Sequence, residues 1–443
     1  MIIAFFGIFV YGLLAALPGS VLPTLERNQY LPNDFAVATF LLINAIGAVL
    51  AYLVSGPIID RFGKKFALFF GAALVIASMA GFALTVTNVQ AAAALLLIFS
   101  CSLVLGLGAN AIVAAGHALV VDVAAAWRNA ALNLLDICFG LGLASLPLVV
   151  QRLQQRGGLR MIFWSLAGAA FVLLVLVLAS RFPTPMLSES FPIREAKGLF
   201  RNPSFLLLAA ALFMYVGTEV SVGKWVVTFM ERDARVLASQ GLDATQLRAL
   251  AHGSPELLSR FFENDSAGIA VAGYALTTLT LFAMALLVGR LVSSFVLGIL
   301  RLNSFLLISA GSLLTTISLL VAFTAGTAGT VRLGLIAAGF GMGPIFPTSV
   351  GLASVMMPRI AGTAMSLVMG IGFAGLLVIP PAVGYLSSAA GGATGDVRTG
   401  LVVVMAASMA MLLLHILLVL RERRRSFVSE EALETNATVG SEY

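Results

Sequence analysis

The sequence predicts an all-α membrane protein, with twelve transmembrane helices in two pseudo-symmetric halves of six. Three observations predict it. Of 443 residues, 60% are apolar and only 10% are charged. A soluble domain carries roughly 25% charged residues, so this chain cannot cover a water-facing surface. The apolar residues also come in long continuous runs that match the ~20 residues a membrane helix needs. A membrane β-strand would alternate over about 10 residues instead. Finally, the chain repeats itself at a nearly constant offset.

The spans are read at 2–24, 35–58, 66–87, 92–120, 129–150, 161–179, 205–230, 268–289, 304–325, 329–353, 362–386 and 399–420. Gly56 matches Gly289, Gly106-Leu-Gly108 matches Gly339-Phe-Gly341, and Pro147 matches Pro380, each at an offset of 233. Arg128 matches Arg359 at 231. Phe9-Val-Tyr11 matches Phe213-Met-Tyr215 at only 204. A segment of about 29 residues inserted between spans 7 and 8 reconciles these offsets, and that loop is longer than its counterpart by about this much. The chain therefore divides into a half at 1–180, a linker at 181–203, and a second half at 204–420 with an insertion at 231–267. A polar tail at 421–443 is expected to be disordered.

Twelve spans put both termini on one side. Fifteen of the 26 Lys and Arg residues fall in that side's loops and tail, Arg290 and the Arg421–Arg425 cluster among them. The positive-inside rule makes that side cytoplasmic. The location expected is a plasma membrane, the inner membrane of a bacterium. No cleavable signal peptide is evident in residues 1–24. Cys101 and Cys138 lie inside apolar runs and read as packing thiols. No basic surface for nucleic acid is available. In the insertion, Ser254-Pro255 is a helix start, and Leu257, Leu258, Phe261 and Phe262 follow as an apolar stripe. Asp243–His252 is a second short-helix candidate. The insertion either packs on the outer rim or forms a lid over the outer mouth.

Ionisable groups inside spans are costly, so each is a functional candidate. Span 7 is richest. Tyr215, Glu219 and Gly223 share one face, while Lys224 lies about 140° from Glu219, a poor direct pair. A carboxylate, a phenol and the Trp225 indole suit a polyol, whose hydroxyls donate to carboxylates and whose C–H face stacks on aromatic rings. Asn133 and Asp136 share a face of span 5, and Asn110 and His117 a face of span 4. Asn44, Tyr274, Thr277 and Thr278 are weaker candidates that more often read as bonds between helices. A metal centre or nucleophile–base pair for an intramembrane enzyme would need clustered ligands. The three histidines, His117, His252 and His415, supply none.

The 2–3 loop reads Gly56-Pro-Ile-Ile-Asp60-Arg61-Phe-Gly63-Lys64-Lys65. It resembles the loop between helices 2 and 3 of major facilitator superfamily transporters. Span 7 from Tyr215 to Trp225, Gly106 to His117 in span 4, Phe346-Pro-Thr348, and Arg359 through Pro380-Pro381 resemble the fucose–galactose–glucose permease group, including its sodium-dependent glucose transporter-like branch. That resemblance implies alternating access around a central sugar pocket, and a gate in which Asp60 and Arg61 meet the start of span 11 and Asp122, with Gly56 and Arg128 in support. The solute it implies is a hexose or related sugar. The other transport reading is a proton-driven exporter of hydrophobic compounds. The family's coupling acids are missing from Ala16-Leu-Pro-Gly19-Ser20 and from Ala109–Gly116. Coupling then falls to Glu219 or Asp136 with protons, to sodium, or to none. No cofactor is expected, and the chain is expected to act as a monomer in the lipid bilayer.

Overall fold

A computed structural model describes residues 1–89, 91–123, 128–182, 200–242, 246, 255–300, 302–324, 326–356, 361–390 and 396–439. The face that carries both termini is called inner here, and the opposite face outer. The first half comprises α1 (Ile2–Arg27), α2 (Asp34–Asn88), α3 (Ala91–Val123) and α4 (Arg128–Ala179). Helices are what apolar runs must form in lipid, where no water satisfies backbone groups. At 55 and 52 residues, α2 and α4 would each run about 80 Å if straight, far beyond the ~30 Å hydrocarbon core. Each is two spans joined at a bend. Gly63 makes the first with φ 84° and ψ 164°, and Gly158 the second with φ 59° and ψ −158°. Only glycine reaches this backbone region without strain.

Contacts fix where the bends lie. Lys65, just past the first, donates to the Leu178 and Ser180 carbonyls at 3.1 and 2.8 Å. It thereby caps the end of α4 at the inner face, where a cation suits the helix dipole. Gln154, just before the second bend, donates to Thr24 at 2.8 Å near the outer end of α1. Gly63→Ala is expected to cost about 1–3 kcal/mol and to lower the thermal unfolding midpoint. Gly168→Ala is the control, because nothing lies near a Cβ there. Equal midpoints for the two variants would refute the assignment.

The second half begins at α5 (Pro203–Arg232), where Asn202 accepts from the Ser204 amide at 3.0 Å and Pro203 takes the first turn. The insertion supplies α6 (Ala234–Ser239) and α7 (Pro255–Asn264), the latter starting at Pro255 as predicted. Then come α8 (Ser266–Gly298) and α9 (Ser304–Thr324). The next span is α10 (Ala328–Met342) and α11 (Ile345–Met356), interrupted at Gly343-Pro344. The following one is α12 (Ala361–Ala374) and α13 (Ile379–Ala390), separated by a tight turn before Pro380-Pro381. Both breaks fall at prolines, which remove a helix hydrogen bond. The last is α14 (Val402–Val439). Eleven stretches among the described residues are long and apolar enough to cross a membrane. One of them is the 46-residue Leu134–Ala179, which the bend at Gly158 divides, so the twelve predicted spans are present.

Two expectations change. α8 does not stop at 289, so Arg290 is not a loop residue but lies inside a membrane helix. This narrows the basic excess on the inner side. The tail is helical to Val439 rather than disordered; Glu, Ala and Leu in that stretch are good helix formers. The linker from 183 to 199, and all of Asp243–His252 except Gln246, lie outside the described residues. The repeat has a packing counterpart. Gly108 rests on the Gly71 carbonyl, and its match Gly341 rests on the Gly311 carbonyl, each too close to accept a Cβ.

Candidate functional site

Halfway along α5, Glu219 projects toward α8 and forms an ion pair with Arg290 at 3.6 Å. Both side chains are largely buried, at 15% and 12% exposure. Asp136 on α4 lies within electrostatic reach of both. Tyr215, one turn before Glu219, is fully buried beside the pair. Its hydroxyl lies beside both Glu219 and Arg290, and Arg290 Nε finds no hydrogen-bond partner among the described residues. The Arg290 guanidinium lies 5.8 Å from the Phe139 ring centroid, and Phe139 stacks on Tyr11 at 5.5 Å. The Tyr11 hydroxyl donates to Asn110 at 3.5 Å. Tyr52 on α2 is the third phenol of this group, half-buried like Tyr11. Its hydroxyl also lacks a partner among the described residues, and its ring stacks on Phe373 at 5.4 Å. Residues from α1, α2, α3 and α4 of one half thus face α5, α8 and α12 of the other. The result is a polar cluster with aromatic walls, set at mid-membrane.

Of the predicted site residues, Glu219, Tyr215, Asn110 and Asp136 come together. Trp225 does not. Its ring is enclosed, and Nε1 donates to the Pro380 carbonyl at 3.0 Å, so it locks α5 to α13. Lys224 is buried and forms no ion pair with Glu219. His117 turns its Nδ1 to the Val113 carbonyl at 2.9 Å, one helical turn back. The Asn133 side chain lies outside the described residues. Asn44 bonds the Ser102 carbonyl, and Arg332 bonds Thr278 while lying over Tyr274, so these three serve contacts between helices. Sequence reasoning missed Arg290, Tyr11 and Tyr52. A buried carboxylate at 219 demands a cation, and Arg290, read from the sequence as a loop residue, is the one that meets it.

The inner gate is only partly visible. Arg61 is exposed, with its guanidinium over the Phe62 ring at 5.4 Å. The side chains of Asp60, Asp122 and Arg128, and the surroundings of Gly56, lie outside the described residues. The outer end was not singled out from the sequence, and there the two halves are tied. Arg27 of α1 pairs with Glu231 of α5. Arg232 pairs with Glu26 and, at 3.0 Å, with Asp34. Ser387 of α13 bonds the same Asp34, which is fully buried. Phe262 of the insertion packs against Arg27, 4.5 Å from guanidinium to ring centroid. Outside the spans, burial pushes the Asp233 carboxyl up, but bonds from Arg235 outweigh it and hold it below the usual range. The outer end is therefore shut.

Beneath this lock, α1 and α5 cross at Gly19, where a Cβ would collide with the Gly223 carbonyl. Gly19→Val is therefore expected to hold the outer ends apart. A Thr24→Cys reporter, buried in the closed form, should then react faster with a membrane-impermeant maleimide. Unchanged labelling would show that the crossing is not the closing contact.

Two helical halves related by a parallel repeat, shut at one end over a central polar cluster, define a membrane solute carrier. The chain matches the Major Facilitator Superfamily over residues 4–246 and belongs to that family. It is 23% identical over 420 residues to Bypass of stop codon protein 6 of Saccharomyces cerevisiae, covering 86% of this chain and 76% of the yeast protein. Its fold is similar to a D-xylose–proton symporter (TM-score 0.71, 14% identity, 94% and 96% of the two chains). It is also similar to the nucleoside transporter NupG (0.69, 14%, 94% and 97%) and to the Escherichia coli fucose:proton symporter FucP (0.60, 14%, 94% and 97%).

Proposed function

We propose that this carrier moves a small polar solute, a hexose or related sugar, by alternating access between its halves. One observation carries the reading: buried donors wait at the central site. The Tyr52 hydroxyl and Arg290 Nε lack partners among the described residues, and an unmade buried hydrogen bond costs about 1–3 kcal/mol. A sugar hydroxyl supplies the missing acceptors and donates to Glu219 in return. The Phe139 and Tyr11 rings offer faces to its C–H side. Glu219 is the coupling group in this reading: it alternates between Arg290, the solute and a proton. Sodium coupling and uniport are the outcomes that would displace it. The cluster is complete within one chain, which supports a monomer. The basic inner loops support cytoplasmic termini, and a bacterial inner membrane is the location proposed.

The test is counterflow in proteoliposomes with a panel of labelled sugars, run with and without pH and sodium gradients. Saturable exchange of one sugar, stimulated by a pH gradient, is expected. No signal from any sugar, with expulsion of an apolar dye, would transfer the protein to the exporter reading.

A further inference from the structure

A cleft of about 720 Å³ opens at the outer face, away from the central cluster. One wall is the end of the fifth span and the bend at Gly158; the other is α7 and the first turns of α8. Gln151, Gln154 and Gln155 stand at i, i+3 and i+4, so their amides share one helix face. Asn28 lies beside them, and Asn264 faces them from the other wall. Gln154 spends an N–H on Thr24, which leaves its carbonyl to accept. Arg156 and Arg160, on either side of the bend and exposed, stand at the rim. No carboxylate is among the described residues that line the cleft. The volume suits a small ligand, for which about 300–1,000 Å³ is usual.

The lining dictates the ligand's chemistry. Carboxamides both donate and accept, which matches hydroxyl groups. Guanidinium forks match phosphate. We propose that this cleft binds a phosphoglycerol group, its hydroxyls on the glutamine amides and its phosphate on Arg156 and Arg160. Such a group arrives from two sources, the headgroup of phosphatidylglycerol or free glycerol phosphate. Trp164 lies one turn beyond Arg160 and is exposed, as an indole at a lipid interface would be.

The site exists only in the closed arrangement. Thr24, Asn28 and Gln154 come from the first half, and Phe262, Asn264 and Gly273 from the second. Phe262 both lines the cleft and packs against Arg27 of the outer lock. An occupant therefore favours the outer-closed state, because a ligand shifts an equilibrium by its preference for one form. This site is independent of the transported solute, so binding is measured without transport.

The test uses the full-length protein in nanodiscs of phosphatidylcholine, with and without phosphatidylglycerol, and thermal unfolding as the readout. In parallel, sn-glycerol 1-phosphate is titrated calorimetrically into the phosphatidylcholine sample. A raised midpoint with phosphatidylglycerol alone assigns the headgroup. A response to the free phosphate alone assigns the soluble ligand, and a response to both assigns the shared group. In each case Arg156→Gln/Arg160→Gln should weaken the effect by about tenfold or more, the equivalent of losing a charge-assisted hydrogen bond. Gln154→Leu should weaken it less. No response to either probe, or one unchanged in the double variant, overturns the proposal. An equal response to phosphatidylserine overturns the glycerol part, since it would leave only charge.

Discussion

Glu231→Gln is expected to spring the outer end open. Arg27 would stay buried without its counter-charge. Breaking one partner of a buried pair costs about 3–5 kcal/mol. That penalty falls only on the closed arrangement, because in the open one Arg27 reaches water. A two-state equilibrium shifts by on the order of a hundredfold or more for such a difference. Spin labels at Thr87→Cys and Ser239→Cys, exposed sites on the outer ends of opposite halves, would report a longer distance. The exchanged pair Arg27→Glu/Glu231→Arg should restore the short one. If the exchange is no better than the single change, the lock is not an ion pair. Arg232 supplies a second tie to Glu26 and Asp34, so the same measurement on Arg232→Gln should also lengthen the distance.

The second large effect is at the centre. Glu219→Gln keeps the shape and removes the charge, leaving Arg290 with Asp136 alone. Loss of a hydrogen bond to a charged group is worth about 1.5–3 kcal/mol, so solute binding should weaken by roughly ten- to a hundredfold. Accumulation driven by a pH gradient should vanish altogether, because the remaining amide cannot carry a proton. Accumulation at the wild-type level would remove Glu219 from both roles. Counterflow that survives while accumulation is lost would restrict Glu219 to coupling.

The fold was legible because lipid leaves few choices. Long apolar runs become helices, and the offset of 233 between Gly106 and Gly339 returns in the packing of the halves. Gly63, read as one letter of a loop motif, is a backbone requirement. The site was half legible. Glu219 stood out as a buried carboxylate, but its partner did not. A charge near the predicted end of a span reads as the span's end, which puts Arg290 in a loop rather than inside α8. Tyr11 was noticed only as a repeat marker, since a phenol in a membrane helix carries no local signal of what it faces. Trp225 misled because an indole looks the same in sequence whether it lines a cavity or locks two helices. The outer lock was hidden for another reason. Its members sit at helix ends, where charges are commonplace, and their partners are about 200 residues away.

Arg27 and Glu231 are 204 residues apart, the same offset that relates Tyr11 to Tyr215. They are therefore one position seen twice, once in each half, and they meet near the molecule's internal twofold. Two identical halves would bring the same charge to that point from both sides, Arg against Arg or Glu against Glu. Such a chain would repel itself where this one closes. An ancestor with perfectly duplicated halves could not have used this lock. One copy had to change sign before the door could latch, so the latch dates from after the halves began to differ.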